Sequence, residues 1–210
     1  MTDSKAKRTL GAVIYENFEL LDLYGPLEMF GNVVPEIKII TVAEQPGPVP
    51  SVQGPKTVAE FGFSECPGLD LILLPGGLGT VKQLKNPAML GFLKDRSPSA
   101  EVVMSVCSGS ALLAKAGLLD GRRATSNKQF FNLAANQSDR VNWVAEARWV
   151  EDLPFATSSG VSAGLDMALA VIARLFGRER AESIANRTEY VWQDDPGRDP
   201  FYKFLNQGRV

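Results

Sequence analysis

Cys107 is the residue of this chain best placed to carry out covalent chemistry. The apolar segment Glu101–Val106 precedes it, and Ser108, Gly109 and an apolar, helix-like stretch follow it. This order predicts a strand, a one-residue turn and a helix, with small residues at Ser105 and Gly109 where bulky ones would collide across the turn. A thiol at such an elbow meets the positive end of a helix, which favours the thiolate and lowers the thiol pKa from its usual ~8.5. The alternative is a buried cysteine that acts as a small hydrophobe.

The chain contains no histidine, which limits how Cys107 can be activated. A cysteine–histidine dyad within one chain is excluded, and with it papain-type proteases and Cys-His-Glu amidotransferases. Two cysteines without histidine leave only carboxylates to complete a zinc site. We therefore expect no metal and no cofactor. The partner of Cys107 must be a carboxyl, a tyrosine, a lysine or a backbone group.

The turn Pro75-Gly76-Gly77 follows the apolar run Leu69–Leu74, which is typical of a buried strand. A phosphate-binding loop fits less well, because the Lys-Ser/Thr of a P-loop is missing and the glycine spacing does not match a dinucleotide fingerprint. The chain must turn sharply here, so a backbone N–H is exposed toward the carboxyl edge of the sheet. We expect Gly77 to serve as an oxyanion donor.

Asp22 is the carboxyl group that we expect close to Cys107. The segment Glu16–Pro26 follows the first strand, so it begins at the edge where open parallel sheets bind ligands. Its apolar frame, Leu20–Leu23, would enclose the carboxyl group. Desolvation and a nearby thiolate would then raise the carboxyl pKa, and the retained proton would be available for transfer. The alternative is a solvated helix cap.

Short apolar runs alternate with helical patterns, which indicates a parallel sheet with helices on both faces. The predicted strands are Thr9–Tyr15, Ile37–Val42, Leu69–Leu74, Glu101–Val106 and Trp143–Glu151. The predicted helices are Leu23–Asn32, Pro87–Arg96, Ala111–Ala116, Lys128–Asn136, Arg178–Thr188 and a long one ending near Phe176, with a loop and short hairpin at Glu44–Phe63. The loop Thr157–Gly164 opens the long helix. Ser162 is interpreted as a helix start rather than a nucleophile, because no strand immediately precedes it.

The composition is that of an ordinary globular protein, with 45% hydrophobic and 22% charged residues, and 210 residues fit one domain, residues 1–210. The net charge of −2 gives no electrostatic reason to expect nucleic acid or an anionic membrane as partner. The polar start of the chain and the lack of a long apolar segment favour a cytoplasmic protein. Cys66 lies outside any elbow pattern, so we expect it to be a structural thiol.

Four segments resemble the ThiJ/PfpI superfamily, also called the DJ-1 superfamily. They are LLDLYGPLEMF, DLILLPGGLGT, VVMSVCSGSALLAKAGLLDGRRATS and TSSGVSAGLDMALAVIARLFG. The joint occurrence of the Asp-Leu-x-Gly-Pro, Pro-Gly-Gly and elbow motifs is specific for the superfamily, and the resemblance runs from about Thr9 to Thr188. It is greatest to the isonitrile hydratase branch, and sensor domains of AraC-type regulators share the same layout.

The resemblance implies a flavodoxin-like, three-layer α/β sandwich with a mostly parallel sheet, built as one ThiJ/PfpI-like (class I glutamine amidotransferase-like) domain, and a homodimer. It also implies that Cys107 is the nucleophile and Asp22 its carboxyl partner. The oxyanion-type backbone donors correspond to Gly77 and Ser108. Relatives often have a histidine where this chain has Asn127, which cannot act as a base but can donate a hydrogen bond.

The function that the resemblance implies is hydration of a small-molecule isonitrile to an N-substituted formamide. Cys107 attacks the isonitrile carbon while protonated Asp22 delivers a proton, and the Asp22 carboxylate then activates water against the thioimidate. One alternative is a hydratase or deglycase that acts on glyoxals and similar reactive carbonyls. Another is a redox sensor in which Cys107 is oxidised to a sulfinate. A regulator's sensor domain fits less well, because we expect no helix-turn-helix domain after Gly197.

The hydration scheme makes demands on the structure. Asp22 and Cys107 must lie within hydrogen-bonding reach of each other, and the backbone of Cys107 must be strained at the elbow. For the homodimer, we expect Leu27 and Phe30 to be exposed apolar residues on the first helix.

Overall fold

The computed structural model describes residues 7–208 and has a seven-stranded sheet covered by helices. The strands are β1 (Arg8–Val13), β2 (Ile37–Ala43), β3 (Gly47–Pro50), β4 (Lys56–Ala59), β5 (Phe61–Gly62), β6 (Leu71–Leu74), β7 (Val102–Val106), β8 (Arg123–Ala124), β9 (Asn142–Trp143), β10 (Trp149–Asp152) and β11 (Phe155–Ser158). The α-helices are α1 (Leu20–Gly31), α2 (Thr80–Gln83), α3 (Pro87–Arg96), α4 (Gly109–Lys115), α5 (Phe131–Ala135), α6 (Ala163–Phe176) and α7 (Arg178–Arg187). Short 3₁₀ turns cover Ser97–Ser99 and Tyr202–Phe204.

The central sheet has the strand order β10-β11-β7-β6-β1-β2-β5, and every pair except β10 with β11 is parallel. Parallel strands covered on both faces are built from nearly continuous apolar runs. Accordingly, β6 (Leu-Ile-Leu-Leu) and β7 (Val-Val-Met-Ser-Val) are buried at every position. The predicted mostly parallel, three-layer α/β fold is confirmed.

The helices form two packed groups that cover the two faces of the sheet. Helices α1, α6 and α7 pack together, and α2, α3 and α5 pack around α4. The predicted hairpin in Glu44–Phe63 is formed by β3 and β4, which pair antiparallel outside the central sheet. Within residues 7–208, no helix combines the length and the apolar character needed to cross a membrane.

Helix α1 begins at Leu20 rather than at the predicted Leu23. Asp22 therefore lies inside the first turn, and Pro26 lies within the helix instead of at its start. Because proline has no N–H, the backbone carbonyl of Asp22 has no donor from the residue four positions along the helix.

The structure also differs from the predicted elements near the last strands. The predicted strand Trp143–Glu151 is two strands, β9 and β10, with a turn between them. Residues Phe155–Ser158, placed partly in a loop by their small side chains, form the buried strand β11 beside β7. Ser162 is the N-cap of α6, and residues 159–161 separate it from the end of β11. The interpretation of Ser162 as a helix start is therefore confirmed.

Gly109, the first residue of α4, is required by the close approach of β6 to the elbow. A Cβ added there would lie 2.5 Å from the Leu74 carbonyl oxygen and 2.9 Å from that of Pro75. We expect Gly109→Ala to lower the free energy of unfolding by about 1–3 kcal/mol, the usual cost of overpacking. Urea denaturation measures this loss.

Gly91→Ala in α3 is the matched control for that substitution. Nothing lies within 4 Å of the added carbon, and alanine stabilises a helix interior by about 0.5–1 kcal/mol relative to glycine. The two variants should therefore change stability in opposite directions. A similar loss in both would contradict the packing argument.

Candidate active site

Cys107 lies where three neighbouring strands end. The register pairs Leu74 with Ser105 and Ser158 with Val106, so the turns after β6, β7 and β11 converge on Cys107. The φ angle of Cys107 is +57°. This left-handed conformation costs a residue with a side chain roughly 1–2 kcal/mol. The strained turn predicted at the elbow is confirmed.

Four hydrogen-bond partners hold the backbone of Cys107 in this conformation. Its N–H lies 3.2 Å from the Ser158 carbonyl oxygen and 3.3 Å from that of Ser159. Its carbonyl oxygen accepts from the Ser110 hydroxyl at 3.2 Å and from the Ser126 hydroxyl at 3.1 Å. Strained backbone persists where the surrounding contacts over-determine it, and these contacts do so here.

The sulfur of Cys107 faces hydrogen-bond donors on the side of α4 and α5. Asn127 Nδ2 donates to Sγ over 3.1 Å, and the Phe130 N–H donates to Asn127 Oδ1 over 3.1 Å, which fixes the orientation of the amide. The backbone N–H of Ser108 is a second donor to the sulfur. Gly160 approaches closely, since a Cβ added there would lie 2.8 Å from Sγ. Asn127 thus makes the kind of hydrogen bond expected of it.

Asp22 is fully buried, which excludes the solvated helix cap considered for it. Its Oδ2 accepts a hydrogen bond from the Gly76 N–H over 2.9 Å. Its Oδ1 has no partner that meets hydrogen-bond geometry among the residues that the structure describes. The Cys107 thiol is a neighbour close enough to interact with this carboxyl group. An unpaired buried oxygen is costly for a carboxylate and much less so for a protonated carboxyl group.

Burial raises the pKa of both groups. The pKa of the Asp22 carboxyl lies well above its usual range because of desolvation, which the Gly76 N–H opposes and the negative charge of Glu19 reinforces. The pKa of the Cys107 thiol is also raised by desolvation and then by the charge of Asp22, against the weaker effect of its hydrogen-bond donors. The expectation of a lowered thiol pKa at the elbow is therefore wrong, because burial raises this pKa by more than the helix N-terminus lowers it.

The two raised pKa values belong to one coupled pair. A carboxylate on Asp22 and a thiolate on Cys107 repel each other in a dry site, so the pair keeps a proton and the two titrations are linked. When Asp22 holds the proton, the repulsion on Cys107 disappears, while the donors from Ser108 and Asn127 remain. The arrangement can therefore present a thiolate next to a carboxylic acid.

The backbone N–H of Gly77, expected as an oxyanion donor, donates to the hydroxyl of Ser108 over 3.1 Å. The Ser108 hydroxyl also pairs with Thr80 Oγ1 at 2.9 Å, which in turn pairs with the Tyr15 hydroxyl at 3.0 Å. The Tyr15 hydroxyl donates to the Pro75 carbonyl over 2.7 Å. Gly77 thus orients Ser108 in this structure, and the chain of hydroxyls fixes the turn after β6.

A cavity of about 150 Å³ opens onto Cys107. Its polar lining residues include Glu19, Ser108 and Asn127, and Asp22 is not part of the lining. The apolar part of the wall consists of Leu78, Val81, Phe130, Leu133 and Val161. Sequence reasoning missed this wall, because its members come from separate segments. The one available signal was an apolar residue, Leu78, directly after the glycine-rich turn.

The loop that carries Asn127 is fixed by a buried lysine and by the C-terminal part of the described chain. Lys128 Nζ donates to buried hydroxyl and carbonyl oxygens and lies 3.7 Å from an Asp199 carboxylate oxygen. Burial lowers the pKa of Lys128 to about 8, and the charge of Asp199 opposes this. The Asn206 N–H donates to the Lys128 carbonyl over 2.8 Å. Because Lys128 is held in this way, α5 begins at Phe131 rather than at the predicted Lys128.

Cys66 lies apart from this site, before the amino end of β6, whereas Cys107 lies beyond the carboxyl ends of the strands. Its thiol donates to the Pro67 carbonyl over 3.4 Å, and burial raises its pKa. These contacts suit the structural role expected for Cys66.

Comparison with known proteins identifies the family. Residues 9–174 match the DJ-1/PfpI family, and the chain belongs to that family. It is 32% identical over 187 residues to the isonitrile hydratase of Pseudomonas putida, which covers 87% of this chain and 78% of that protein. A crystal structure of a ThiJ/PfpI family protein from Pseudomonas syringae aligns with a TM-score of 0.80 and 36% identity, covering 90% of this chain and 77% of the other. The resemblance stated from the sequence motifs is confirmed.

Other relatives include a transcriptional regulator and a DJ-1 homologue. The HTH-type transcriptional regulator GbdR of Pseudomonas aeruginosa is 26% identical over 188 residues, which span 87% of this chain and 51% of the regulator. Protein DJ-1 homolog A of Arabidopsis thaliana is 30% identical over 177 residues, or 82% of this chain and 43% of that protein. Family membership therefore establishes the fold and the layout, and the activity must be argued from the site.

The contact from Asn127 to the sulfur can be tested through the reactivity of Cys107. We expect Asn127→Ala to slow alkylation by iodoacetamide at pH 8 by about tenfold, because a hydrogen bond to a charged group contributes roughly 1.5 kcal/mol or more. Its loss raises the thiol pKa further. The pH dependence of the alkylation rate, measured in a Cys66→Ser background, reports only on Cys107.

Asn136→Ala is the control for that measurement, since Asn136 is exposed at the end of α5. It should keep the parental pH profile. An Asn127→Ala profile that overlies the parental one would show that the amide does not act on the sulfur. Cys66→Ser itself should keep the reactivity of Cys107 within a few-fold of the parent.

Proposed function

We propose that this member of the DJ-1/PfpI family is an isonitrile hydratase, a hydro-lyase that adds water to an isonitrile and releases an N-substituted formamide. The observation that carries the proposal is that a buried carboxyl, Asp22, lies near the buried Cys107 thiol in a chain without histidine, and that Asp22 Oδ1 has no hydrogen-bond partner among the described residues. Isonitrile hydration needs a nucleophile and one group that acts first as acid and then as base. The similarity to the isonitrile hydratase of Pseudomonas putida supports the assignment.

In the first step, the Cys107 thiolate attacks the terminal carbon of R–N≡C and a C–S bond forms. Protonated Asp22 delivers its proton, which ends on the same carbon, and the product is the thioimidate Cys–S–CH=N–R. Asp22 is then a carboxylate. The N–H of Ser108 and Nδ2 of Asn127 orient the sulfur for attack from the elbow.

In the second step, the Asp22 carboxylate takes a proton from water as the oxygen bonds to the thioimidate carbon. The proton passes to the nitrogen, which leaves a tetrahedral adduct with S, OH and NH–R on one carbon. Asp22 then removes the hydroxyl proton, C=O forms and the C–S bond breaks. This releases R–NH–CHO, restores the Cys107 thiolate and returns the proton to Asp22.

The surroundings of Cys107 favour this reaction over the alternatives. The five apolar side chains of the cavity wall suit a hydrocarbon R group better than a small, polar glyoxal. A peroxide sensor needs an accessible thiolate. Cys107 is only 7% exposed, which disfavours that role.

We also infer a homodimer that forms through α1 and the β3–β4 hairpin. The expectation that Leu27 and Phe30 are exposed on α1 is wrong, since Phe30 is fully buried and Leu27 is half-buried. Exposed apolar side chains instead come from Leu21 and Tyr24 on α1 and from Val58 on β4. The Tyr24 hydroxyl lies 2.7 Å from the Thr57 hydroxyl, so helix and hairpin form one continuous surface. A second copy of the chain is the partner that the family resemblance implies.

The catalytic assignment predicts the effect of two substitutions on turnover of cyclohexyl isocyanide. Asp22→Asn should lose roughly 10²–10⁴-fold in kcat, the usual contribution of a general acid–base group. Cys107→Ser should abolish turnover, because a serine hydroxyl without a base is a poor nucleophile at neutral pH. The parental kcat/KM should fall as the pH rises past the raised pKa of Asp22, because only the protonated carboxyl donates a proton. Asp22→Asn should lack this decrease.

Methylglyoxal is the comparison substrate. Turnover of methylglyoxal but not of the isonitrile would replace hydration with carbonyl chemistry at the same cysteine. Near-parental isonitrile turnover by Asp22→Asn would instead remove Asp22 from the mechanism and direct attention to Glu16 or Glu19.

The dimer surface predicts the behaviour of a matched pair of substitutions. Val58 is 62% exposed on the hairpin and Val191 is 90% exposed beyond α7. We expect Val58→Glu to weaken the dimer, because it buries a charge in an apolar contact, and Val191→Glu to leave it intact. Light scattering at micromolar concentration measures the mass. A monomeric parent protein would refute the dimer.

A further inference from the structure

Glu19 is the carboxylic acid in the wall of the cavity above Cys107. Of the ten side chains and backbone segments that line the cavity, Glu19 and Cys107 are the two that can carry a charge. The other side chains are apolar or neutral. Any substituent that enters with the reacting group therefore meets one acidic group and a largely apolar wall.

The carboxylate of Glu19 is held in place without being neutralised. It occupies the N-cap position of α1 but makes no side-chain capping bond. Instead, Gln53 Nε2 donates to Glu19 Oε1, and Gln53 Oε1 accepts from the Leu20 N–H over 3.2 Å. Among residues 7–208, Glu19 takes part in no ion pair with lysine or arginine. A neutral amide orients the carboxylate and leaves its charge to act on the cavity.

We propose that Glu19 determines the substrate class of this site: it repels anionic substrates, and the apolar wall binds isonitriles with uncharged, apolar substituents. The part of this inference that concerns isonitriles rests on the proposed hydration. The repulsion itself acts on any anion that approaches Cys107. Like charges brought together in a partly desolvated site discriminate strongly between otherwise similar ligands.

The position of Glu19 also ties substrate choice to the chemistry. Glu19 is the N-cap residue of α1 and Asp22 lies in the first turn of the helix, three residues further along the chain. The charge of Glu19 adds to the burial that raises the pKa of Asp22. One side chain thus keeps anions out of the cavity and favours the protonated carboxyl that the first step needs.

The test compares two isonitriles that differ mainly in charge, methyl isocyanoacetate and the isocyanoacetate anion. We expect the parent protein to prefer the ester in kcat/KM by about tenfold or more at low ionic strength. Glu19→Gln should reduce this preference several-fold, mainly through a lower KM for the anion. Its activity should also begin to decrease at lower pH than in the parent. Glu16→Gln is the matched control and should leave the preference unchanged, because exposed Glu16 pairs with Lys82 outside the cavity.

A parent protein that does not prefer the ester, or a preference that Glu19→Gln leaves intact, would overturn the role of Glu19. If neither isonitrile is hydrated, the proposed function is wrong. The repulsion of anions by Glu19 is then tested separately, by alkylation of Cys107. In a Cys66→Ser background, the rate ratio of iodoacetamide to iodoacetate should fall in Glu19→Gln and stay constant in Glu16→Gln. An unchanged ratio in Glu19→Gln would refute the inference on this second measurement.

Discussion

The burial of two acidic groups beside each other is the constraint on which this site depends. Neither Asp22 nor Cys107 is solvated enough to ionise freely, and the charge of Asp22 raises the pKa of the Cys107 thiol. A pair of this kind holds a proton without the help of histidine or metal. Its useful property is that proton transfer within the pair creates a nucleophile and an acid at the same time.

The fold supplies this pairing through the edge of a parallel sheet. The turn after β6 presents the Gly76 N–H to Asp22, the turn after β7 carries Cys107, and the turn after β11 places Gly160 against the sulfur. Because parallel strands end at one edge, residues far apart in sequence meet there without a long loop. Strain in the Cys107 backbone is the cost of bringing the thiol into this position, and four buried hydrogen bonds offset it.

The sequence predicted those strands and site residues whose environment is set by their neighbours in the chain. The apolar runs of β1, β2, β6 and β7 are visible because strands buried on both faces need them, and the small residues around Cys107 reveal the elbow. β11 escaped prediction because it is short and mixes one phenylalanine with small residues. The direction of the thiol pKa was wrong because burial depends on the packed structure, whereas the helix N-terminus can be read locally. The position of Asn127 depends on Lys128 and on residues near Asp199, a contact that no local pattern encodes.

The raised pKa of Asp22 makes folding a proton-uptake reaction. Above the usual aspartate pKa of about 3.9, the unfolded chain has released this proton, while the folded chain still holds it. The contribution of Asp22 to stability therefore falls as the pH rises from that value toward its raised pKa, and it is constant on either side of that interval. Most paired carboxylates behave in the opposite way and weaken a protein in acid. At this position the folded protein keeps a reactive proton, and the stability that Asp22 contributes is lower toward neutral pH than in acid.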